Sequence, residues 1–295
     1  MKKITIVVTG SDGQLGQELQ AVHGQFPSFD FRFCSREDLD ITNGEELGEK
    51  LSAWKPSFII NAAAYTAVDQ AETDEEKAFQ VNTAAVEKLA KICKKKEIWL
   101  MHVSSDYVYH HNPDRPLNEA DETYAQGAYA RTKLKGDQAI QDIDPMYCIV
   151  RTSWVYSSFG KNFVKSMTRL GNERDSLNIV SDQIGTPTYA RDLAVVLCQM
   201  IQIIAREAGD KEQYTGIYNY SNAGATNWAE FAEEIFNIQG ISCEIHPITT
   251  EEFGAPAPRP KWSLLDKNKI SSIFNIEIKS WKTSLKACIE LLKSS

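Results

Sequence analysis

The sequence predicts an α/β protein with a doubly wound parallel sheet and a smaller α+β lobe in its C-terminal half. Two observations predict this fold class. Over residues 4–156, short apolar runs alternate with helical patterns, which is typical of a parallel sheet covered by helices on both faces. The first apolar run leads directly into a glycine loop, residues 10–16, that opens a helical pattern. That order is typical of Rossmann-type folds.

The expected elements follow from this alternation. Apolar runs predict strands at residues 4–9, 29–35, 57–63, 98–105 and 146–156. Amphipathic patterns predict the intervening helices at residues 14–24, 43–54, 75–95 and 128–141.

The alternation becomes less regular after Tyr156. Helical patterns at 162–174, 190–207, 228–238 and 280–293 are mixed with strand patterns at 176–180, 216–219 and 242–248. Prolines and a glycine at 254–260 predict an extended connection. We therefore expect a nucleotide-binding Rossmann domain at residues 1–156. Residues 157–295 are expected to form mainly a substrate-binding lobe, with some segments returning to the sheet.

Charge and hydropathy argue against several classes of partner. A net charge of −8 argues against a nucleic-acid-binding surface, because phosphate backbones are bound chiefly by excess Lys and Arg. The most apolar helical stretch, 193–205, is too short for a bilayer, which takes about 20 residues. The six cysteines are widely separated and never form Cys-x-x-Cys, which indicates neither a disulfide framework nor a zinc site. We expect a cytoplasmic protein with reduced thiols.

The glycine loop predicts a dinucleotide site. After Thr9 it reads Gly10, Ser11, Asp12, Gly13, Gln14, Leu15 and Gly16. Glycines let the backbone approach a pyrophosphate, whose charge is stabilised by the free N–H groups and the dipole of the following helix. Its position between a strand and an amphipathic helix distinguishes this loop from a plain tight turn.

The end of the second strand predicts which dinucleotide is bound. An acidic residue there usually binds the ribose 2′-hydroxyl, whereas an arginine accommodates a 2′-phosphate. Here the sequence reads Cys34-Ser35-Arg36, without a carboxylate. Because a guanidinium can bind a phosphate through two donors, we expect NADPH, with NADH as the second choice. The alternative is an Arg36 that is merely solvated.

A tyrosine and a lysine predict acid–base chemistry. Tyr129 and Lys133 are four residues apart at the start of a helical pattern, hence on one helical face. We expect the positive charge to draw the pKa of the phenol below its ordinary ~10, towards the range where a general acid works best. The fourth strand brings Ser104 and Ser105 to its carboxyl end, where ligands of doubly wound sheets bind. Simple loop-forming roles for the two serines are the alternative.

Longer motifs accompany these short ones. They are Asp40-Ile41, the stretches 61–72, 104–108 and 151–156, Asn162-Phe163, and the stretches 182–188 and 259–265. Together with the glycine loop and Tyr-x-x-x-Lys, they resemble the dTDP-4-dehydrorhamnose reductases, extended short-chain dehydrogenases/reductases that act on nucleotide-linked sugars. The likeness covers nearly the whole chain. Ala-Val-Asp-x-Ala-Glu at 67–72 and Arg-Thr-Ser-Trp-Val-Tyr at 151–156 are its most specific parts.

The resemblance implies an activity and a set of site residues. The activity is reduction of the 4-keto group of dTDP-4-dehydro-L-rhamnose to dTDP-L-rhamnose, the last step in making an activated cell-surface sugar. The implied catalytic residues are Ser105, Tyr129 and Lys133, and the last two also contact the cofactor. Further cofactor contacts are implied for Asp40 and Ile41, at the adenine, and for Ala62, Ala63 and Ala64. We expect the nucleotide sugar to be bound by Ser104, Ser105, Asp106, Trp154, Asn162 and Arg259, with Lys161 offering a further cation.

The chain departs from the family pattern at three positions. Ser105 stands where the family usually has Thr. Serine keeps the hydroxyl, but without the methyl group its rotamer is less restricted. Some members bind magnesium between subunits through glutamates. Glu18 matches the first of these, but Arg191 replaces the second, and a cation opposes a hard metal. Trp262 stands where Asn is frequent. The pair His110-His111 also lacks the spacing of a helical metal site, so we expect no metal and a monomer or weak homodimer.

Two other functions are compatible with the same motifs. A nucleotide-sugar epimerase or dehydratase uses the same tyrosine and lysine but retains its cofactor, so tightly bound copurifying NAD would favour it. A nonenzymatic regulatory subunit is the other, since that of methionine adenosyltransferase resembles these reductases. The intact Ser105, Tyr129 and Lys133 argue against it, and a stoichiometric enzyme partner would argue for it.

Overall fold

The computed structural model describes residues 3–110, 113–207 and 211–294, so the outer bounds of the two predicted domains, residues 1 and 295, lie outside it. The strands are β1 (Ile4–Thr9), β2 (Phe29–Cys34), β3 (Phe58–Asn61), β4 (Trp99–Ser105), β5 (Tyr147–Thr152), β6 (Val155–Tyr156), β7 (Ser176–Val180), β8 (Ile184–Gly185), β9 (Thr188–Tyr189), β10 (Gly216–Asn219), β11 (Thr226–Asn227) and β12 (Glu244–Ile248). Six of them form one parallel sheet in the order β10-β5-β4-β3-β1-β2. The order reverses between β1 and β3, which confirms the doubly wound fold.

Helices cover both faces of this sheet. The α-helices of the described residues, including those of the C-terminal lobe, are α1 (Gln14–Val22), α2 (Gly44–Trp54), α3 (Val68–Ala71), α4 (Glu75–Phe79), α5 (Ala85–Lys96), α6 (Ala128–Ile143), α7 (Phe163–Glu173), α8 (Ala190–Arg206), α9 (Trp228–Gln239), α10 (Thr250–Phe253), α11 (Asn268–Phe274) and α12 (Trp281–Ser294). Along β1, Ile6 and Val8 pack into the core under α1 and α8, whereas Val7 packs into the core under α2 and α5. This is the period of two that a strand buried on both faces requires.

Two elements of the C-terminal half complete the large sheet. Strand β10 pairs in parallel with β5 at one edge. Helix α8 packs beside α1 and contributes Leu193, Leu197 and Ile201 to their shared core. Helix α11 adds Ile270 and Phe274 to the same core, whereas α7, α9, α12 and the β7–β12 pair surround a separate core that includes Phe231 and Trp281. The division into domains at residue 156 stays a prediction.

Two predicted elements are interrupted, and the others agree closely with the observed ones. The helix predicted at 75–95 is present, but its α-helical continuity is wrong, because a wider π-helical turn at Gln80–Ala84 separates α4 from α5. A Cβ on Gly136 of α6 would lie 2.2 Å from the Asn82 carbonyl oxygen, so this turn approaches α6 as only glycine permits. The single strand at 146–156 is also wrong, because a φ of +48° at Trp154 divides it into β5 and β6. Within the described ranges, no helix is long and apolar enough to cross a membrane.

Candidate active site

A cleft of about 800 Å³ lies at the carboxyl ends of the parallel strands, where the strand order reverses. This is where doubly wound sheets bind their ligands. It is lined by every residue predicted to bind the cofactor, namely Gly10, Asp12, Gly13, Gln14, Leu15, Gly16, Arg36, Asp40, Ile41, Ala62, Ala63, Ala64, Tyr129 and Lys133. The fold therefore brings four separate segments, 10–16, 36–41, 62–64 and 129–133, to one cavity.

The glycine loop is shaped by close packing on one side and is open on the other. Gly10 has a φ of +69°, and a Cβ there would lie 2.8 Å from the backbone nitrogen of Ala63. A Cβ on Gly16 would lie 2.5 Å from the Gly10 carbonyl oxygen. No side chain caps α1 at Gly13, so N–H groups of its first turn are left for a ligand. The loop thus fits a pyrophosphate.

Cationic side chains also line the cleft. The Arg36 side chain is 75% exposed, and its Nε lies 3.3 Å from an Asp40 carboxylate oxygen. Such exposed pairs contribute only about 0–1 kcal/mol, so the guanidinium remains available to a phosphate. Lys161 lines the cleft as predicted, and so does Lys77, for which the sequence analysis gave no role.

Ser105 and Tyr129 meet at the end of β4. The Ser105 hydroxyl donates to Asp106 Oδ1 at 3.1 Å and accepts from the Tyr107 N–H at 3.2 Å. Burial raises the pKa of Tyr129 to about 12, although a hydrogen bond with Ser105 acts to lower it. The phenol is therefore protonated at neutral pH.

Lys133 is directed at β4 instead of lowering the pKa of the phenol. Its Nζ donates to the Val103 carbonyl oxygen at 2.8 Å and lies 3.3 Å from His102 Nε2. The expectation that its charge draws the pKa of Tyr129 below the ordinary value is wrong for this arrangement, because burial of the hydroxyl outweighs the groups that lower it. Lys133 and Tyr129 nevertheless line the same cleft.

The start of α6, which carries this pair, is fixed by Glu72. The Ala128 N–H donates to Glu72 Oε1 at 2.7 Å. A Cβ on Gly127, whose φ is +81°, would lie 2.8 Å from the same oxygen. An acidic group at a helix N-terminus also interacts favourably with the helix dipole. Sequence reasoning quoted Glu72 within a family motif but missed this role, since its partner is far along the chain.

The predicted substrate-binding residues divide into two groups. Ser104, Ser105, Asp106 and Trp154 line the cleft, whereas Asn162 and Arg259 do not. The Asn162 side chain caps α7 by accepting from the Lys165 N–H at 3.1 Å, and its amide donates to the Ser157 carbonyl oxygen at 2.7 Å. Both carboxylate oxygens of Asp69 lie 2.8 Å from Arg259 Nη2. These two residues are therefore engaged in structural contacts.

Trp154 forms a rigid wall of the cleft. Its indole stacks on Trp228, with ring centroids 3.8 Å apart and planes inclined by 15°. A Cβ on Gly185 would lie 2.8 Å from Cζ2 of the Trp154 indole, and Trp228 Nε1 donates to Gln183 Oε1 at 2.9 Å. These contacts hold Trp154 in its left-handed conformation, which costs about 1–2 kcal/mol in a non-glycine residue.

Asp106 presents an unpaired acceptor beside Ser105. The residue is buried, and its Oδ2 has no hydrogen-bond partner among the described residues. Burial raises the pKa of this carboxyl to about 6, although hydrogen bonds with Ser263 and Ser105 act to lower it. Since buried acceptors are normally satisfied, Oδ2 is suited to accept from a ligand hydroxyl.

Glu18 is paired with Arg191 rather than open to a metal. Arg191 Nε lies 2.7 Å from Glu18 Oε2, and the Ser157 hydroxyl donates to Oε1 at 2.6 Å. Glu18 is fully buried, so its charge requires such partners. No group of three His, Cys, Asp or Glu side chains in the described part of the chain could hold a metal. His111 lies outside that part, and the absence of a metal stays a prediction.

The fold and the cleft together define a short-chain dehydrogenase/reductase. The defining features are the doubly wound sheet, the glycine loop after β1, the serine at the end of β4 and the Tyr129–Lys133 pair on α6. Among these enzymes the motifs indicated one family in particular. The family model described as RmlD substrate binding domain matches residues 4–294, and the chain belongs to that family.

Similar proteins agree with this assignment. The dTDP-4-dehydrorhamnose reductase of Aggregatibacter actinomycetemcomitans is 35% identical over 288 residues, covering 95% of this chain and 97% of its own. A crystal structure of a dTDP-4-dehydrorhamnose reductase from Clostridium acetobutylicum shares 37% identity with a TM-score of 0.91, covering 98% of this chain and 100% of its own. The Bacillus anthracis dTDP-4-dehydrorhamnose reductase, solved in complex with NADP, shares 34% identity with a TM-score of 0.91, covering 98% and 99%. The resemblance inferred from the motifs is confirmed.

Proposed function

We propose that this protein reduces the 4-keto group of dTDP-4-dehydro-L-rhamnose with NADPH and so forms dTDP-L-rhamnose. One observation carries the proposal. Ser105, Tyr129 and Lys133 line the same cleft as the glycine loop, in a chain whose relatives over nearly full length are dTDP-4-dehydrorhamnose reductases. A reductase needs a proton donor beside a dinucleotide site, and this cleft contains both.

The cleft supports NADPH as the cofactor. The uncapped N-terminus of α1 fits the pyrophosphate, and the small side chains of Ala62, Ala63 and Ala64 leave room for a flat ligand at the end of β3. The exposed Arg36 suits a 2′-phosphate, and the Bacillus anthracis relative is solved with NADP. NADH lacks that phosphate and is expected to be the weaker cofactor.

The chain's own residues handle the proton. When bound, NADPH supplies a hydride to the carbonyl carbon of the sugar. Tyr129 donates its proton to the carbonyl oxygen, and its pKa of about 12 keeps that proton in place at neutral pH until the oxygen becomes basic. Ser105 hydrogen-bonds the same oxygen as negative charge develops. Lys133 is assigned to the cofactor ribose, because it lines the same cleft.

Other residues position the sugar nucleotide. Asp106 Oδ2 accepts from a sugar hydroxyl, and the Trp154 indole packs against the sugar ring. Lys161 offers a cation to the diphosphate. Arg259 is paired with Asp69 and bonds the Ala257 carbonyl oxygen, so we assign it to organising the loop at 254–260.

The finer assignments of compartment and assembly belong to the same proposal. The six cysteines are free, which supports a reducing, cytoplasmic compartment. The buried pair of Arg191 and Glu18 supports a monomer or weak homodimer that does not depend on a shared metal.

A coupled assay tests the proposed function. Enzymatically generated dTDP-4-dehydro-L-rhamnose should cause loss of NADPH absorbance, and other 4-keto sugar nucleotides should compete poorly. Tyr129→Phe serves as the inactive control. An isomerised sugar with no net NADPH oxidation and a retained NAD would identify an epimerase, and a sugar that has lost water under the same conditions would identify a dehydratase. No turnover together with a stoichiometric enzyme partner would identify a regulatory subunit.

A further inference from the structure

Asp137 is a fully buried carboxylate on α6, one helical turn after Lys133 and on the same face. Its Oδ2 accepts from the Ser104 hydroxyl at 2.9 Å and from Arg151 Nε at 3.2 Å. Its Oδ1 has no hydrogen-bond partner among the described residues and lies 3.9 Å from His102 Nε2. A buried acceptor without a partner costs about 1–3 kcal/mol, so this oxygen needs a physical explanation.

The ring of His102 determines what that oxygen faces. The residue is fully buried, and burial lowers its pKa well below the ordinary value, so the imidazole is neutral. The amide nitrogen of Asn61 lies 3.0 Å from Nδ1, while Asn61 Oδ1 accepts from the Thr9 hydroxyl at 2.7 Å. Because an amide nitrogen only donates, Nδ1 accepts and the ring proton is on Nε2.

This Nε2–H lies near two groups, Lys133 Nζ at 3.3 Å and Asp137 Oδ1 at 3.9 Å. A neutral amine could accept the proton of His102, but an ammonium ion has no lone pair to do so. When Lys133 is charged, Asp137 Oδ1 is the acceptor that remains for His102. Asp137 Oδ1 thus gives the Nε2–H of His102 an acceptor while Lys133 carries its positive charge.

The charges around Lys133 also depend on Asp137. The Nζ of Lys133 lies 3.3 Å from His102 on β4, and Asp137 on α6, which is itself paired with Arg151 on β5, acts on Lys133 through its charge. Burial lowers the pKa of Lys133 to about 8, and the Asp137 carboxylate acts in the opposite direction. Without that carboxylate, the buried Arg151 and Lys133 would be two cations in one cluster.

We propose that Asp137 is a positioning residue for the reduction: it keeps Lys133 an ammonium ion next to the reacting groups and ties α6 to β4 and β5 through Ser104 and Arg151. The catalytic consequence rests on the proposed function. The effect on Lys133 itself does not, because it arises from the fold alone.

A titration of Lys133 tests the inference directly. The ¹³Cε resonance of Lys133, identified by its loss in Lys133→Met, should titrate near pH 8 in the parent protein. Asp137→Asn should lower the midpoint by about one pH unit or more, since an opposite charge close by shifts a pKa by ~1–3. Arg151→Met should raise it, because Asp137 would then be neutralised by Lys133 alone.

A second buried carboxylate supplies the matched control. Asp192 is buried and paired with Lys279 Nζ at 2.9 Å, and it is not among the groups that shift the pKa of Lys133. Asp192→Asn should therefore weaken folding without moving the Lys133 midpoint. A similar shift in both Asp→Asn variants would mean that the resonance reports general loosening, which would overturn the proposal.

The pH profile of kcat/KM links the titration to catalysis. If the ammonium form of Lys133 is required, activity is present below its midpoint and is lost above it, so Asp137→Asn should move the alkaline limb to lower pH together with the resonance. A merely structural role of Asp137 would lower kcat without moving the alkaline limb of the pH profile.

An unchanged Lys133 midpoint in folded Asp137→Asn overturns the proposal. If that variant does not fold, absence of an upward shift in Arg151→Met overturns it. A shifted midpoint in a protein that reduces no 4-keto sugar would contradict the proposed function and leave the assignment of Asp137 intact.

Discussion

Replacing Gly10 with alanine tests whether the glycine loop is required by packing as well as by its ligand. Gly10 is in the left-handed region, with a φ of +69°, and an added Cβ would lie 2.8 Å from the backbone nitrogen and Cα of Ala63. The left-handed conformation costs alanine about 1–2 kcal/mol. Overpacking against a backbone that cannot move aside adds about 1–3 kcal/mol. We therefore expect Gly10→Ala to lower the free energy of unfolding by about 2–5 kcal/mol.

Two other glycines separate the two contributions. Gly240 has a φ of +67°, but no atom lies within 4 Å of an added Cβ, so Gly240→Ala should cost only the conformational part, about 1–2 kcal/mol. Gly24 has open space and no left-handed φ, so Gly24→Ala should be neutral or stabilise by up to about 1 kcal/mol.

Urea unfolding followed by circular dichroism measures all three variants in parallel. NADPH affinity, measured by fluorescence, should fall for Gly10→Ala and stay unchanged for the other two. If Gly10→Ala costs no more than Gly240→Ala, the contact with Ala63 does not constrain the loop and the packing argument is refuted.

The remaining predictions concern the active site and the metal. Tyr129→Phe removes the proton donor and keeps the ring, so kcat in the NADPH assay should fall by about 10²–10⁴ with folding preserved, and retention of more than about a tenth would point to another donor. Ser105→Ala should lower kcat less, because Ser105 only polarises the carbonyl; a larger loss than that of Tyr129→Phe would reverse the two roles. Arg36→Ala should narrow the preference in kcat/KM for NADPH over NADH by weakening NADPH, an expectation that equal efficiencies in the parent protein would contradict. Because Arg191 already neutralises Glu18, EDTA should change neither activity nor sedimentation, whereas a dimer that EDTA splits and magnesium restores would refute the metal-free interpretation.

Local sequence patterns were sufficient to predict the parts of the site whose residues are close together in the sequence or lie at the ends of neighbouring strands. The glycine loop after β1 could be predicted because a strand, a turn and a helix follow one another within a few residues. Tyr129 and Lys133 could be placed together because four residues make one helical turn. Ser105 could be placed beside them because parallel strands end at the same edge of a sheet.

Properties that arise from distant segments could not be predicted in the same way. The pKa of Tyr129 depends on burial, and Lys133 is directed at His102 and Val103, whose positions relative to α6 are set only by the folded sheet. Asn162 is an exception, because its role as a helix cap could have been predicted: an asparagine directly before an amphipathic helix often caps it. The pairing of Arg259 with Asp69 joins residues far apart in sequence and left no local signal.

The completion of the large sheet by late segments has a consequence for synthesis on the ribosome. Strand β5 is made before β10, and α1 is made before α8, so the emerging chain carries an unpaired strand edge and a bare apolar face formed by Leu15 and Leu19. Such surfaces bind other chains as readily as their own partners. A nascent fragment ending near Tyr156 contains the whole glycine loop and the Tyr129–Lys133 pair, yet it cannot bury the sheet that holds them. The edge of β5 and the apolar face of α1 are therefore covered only after translation has passed α8 and β10.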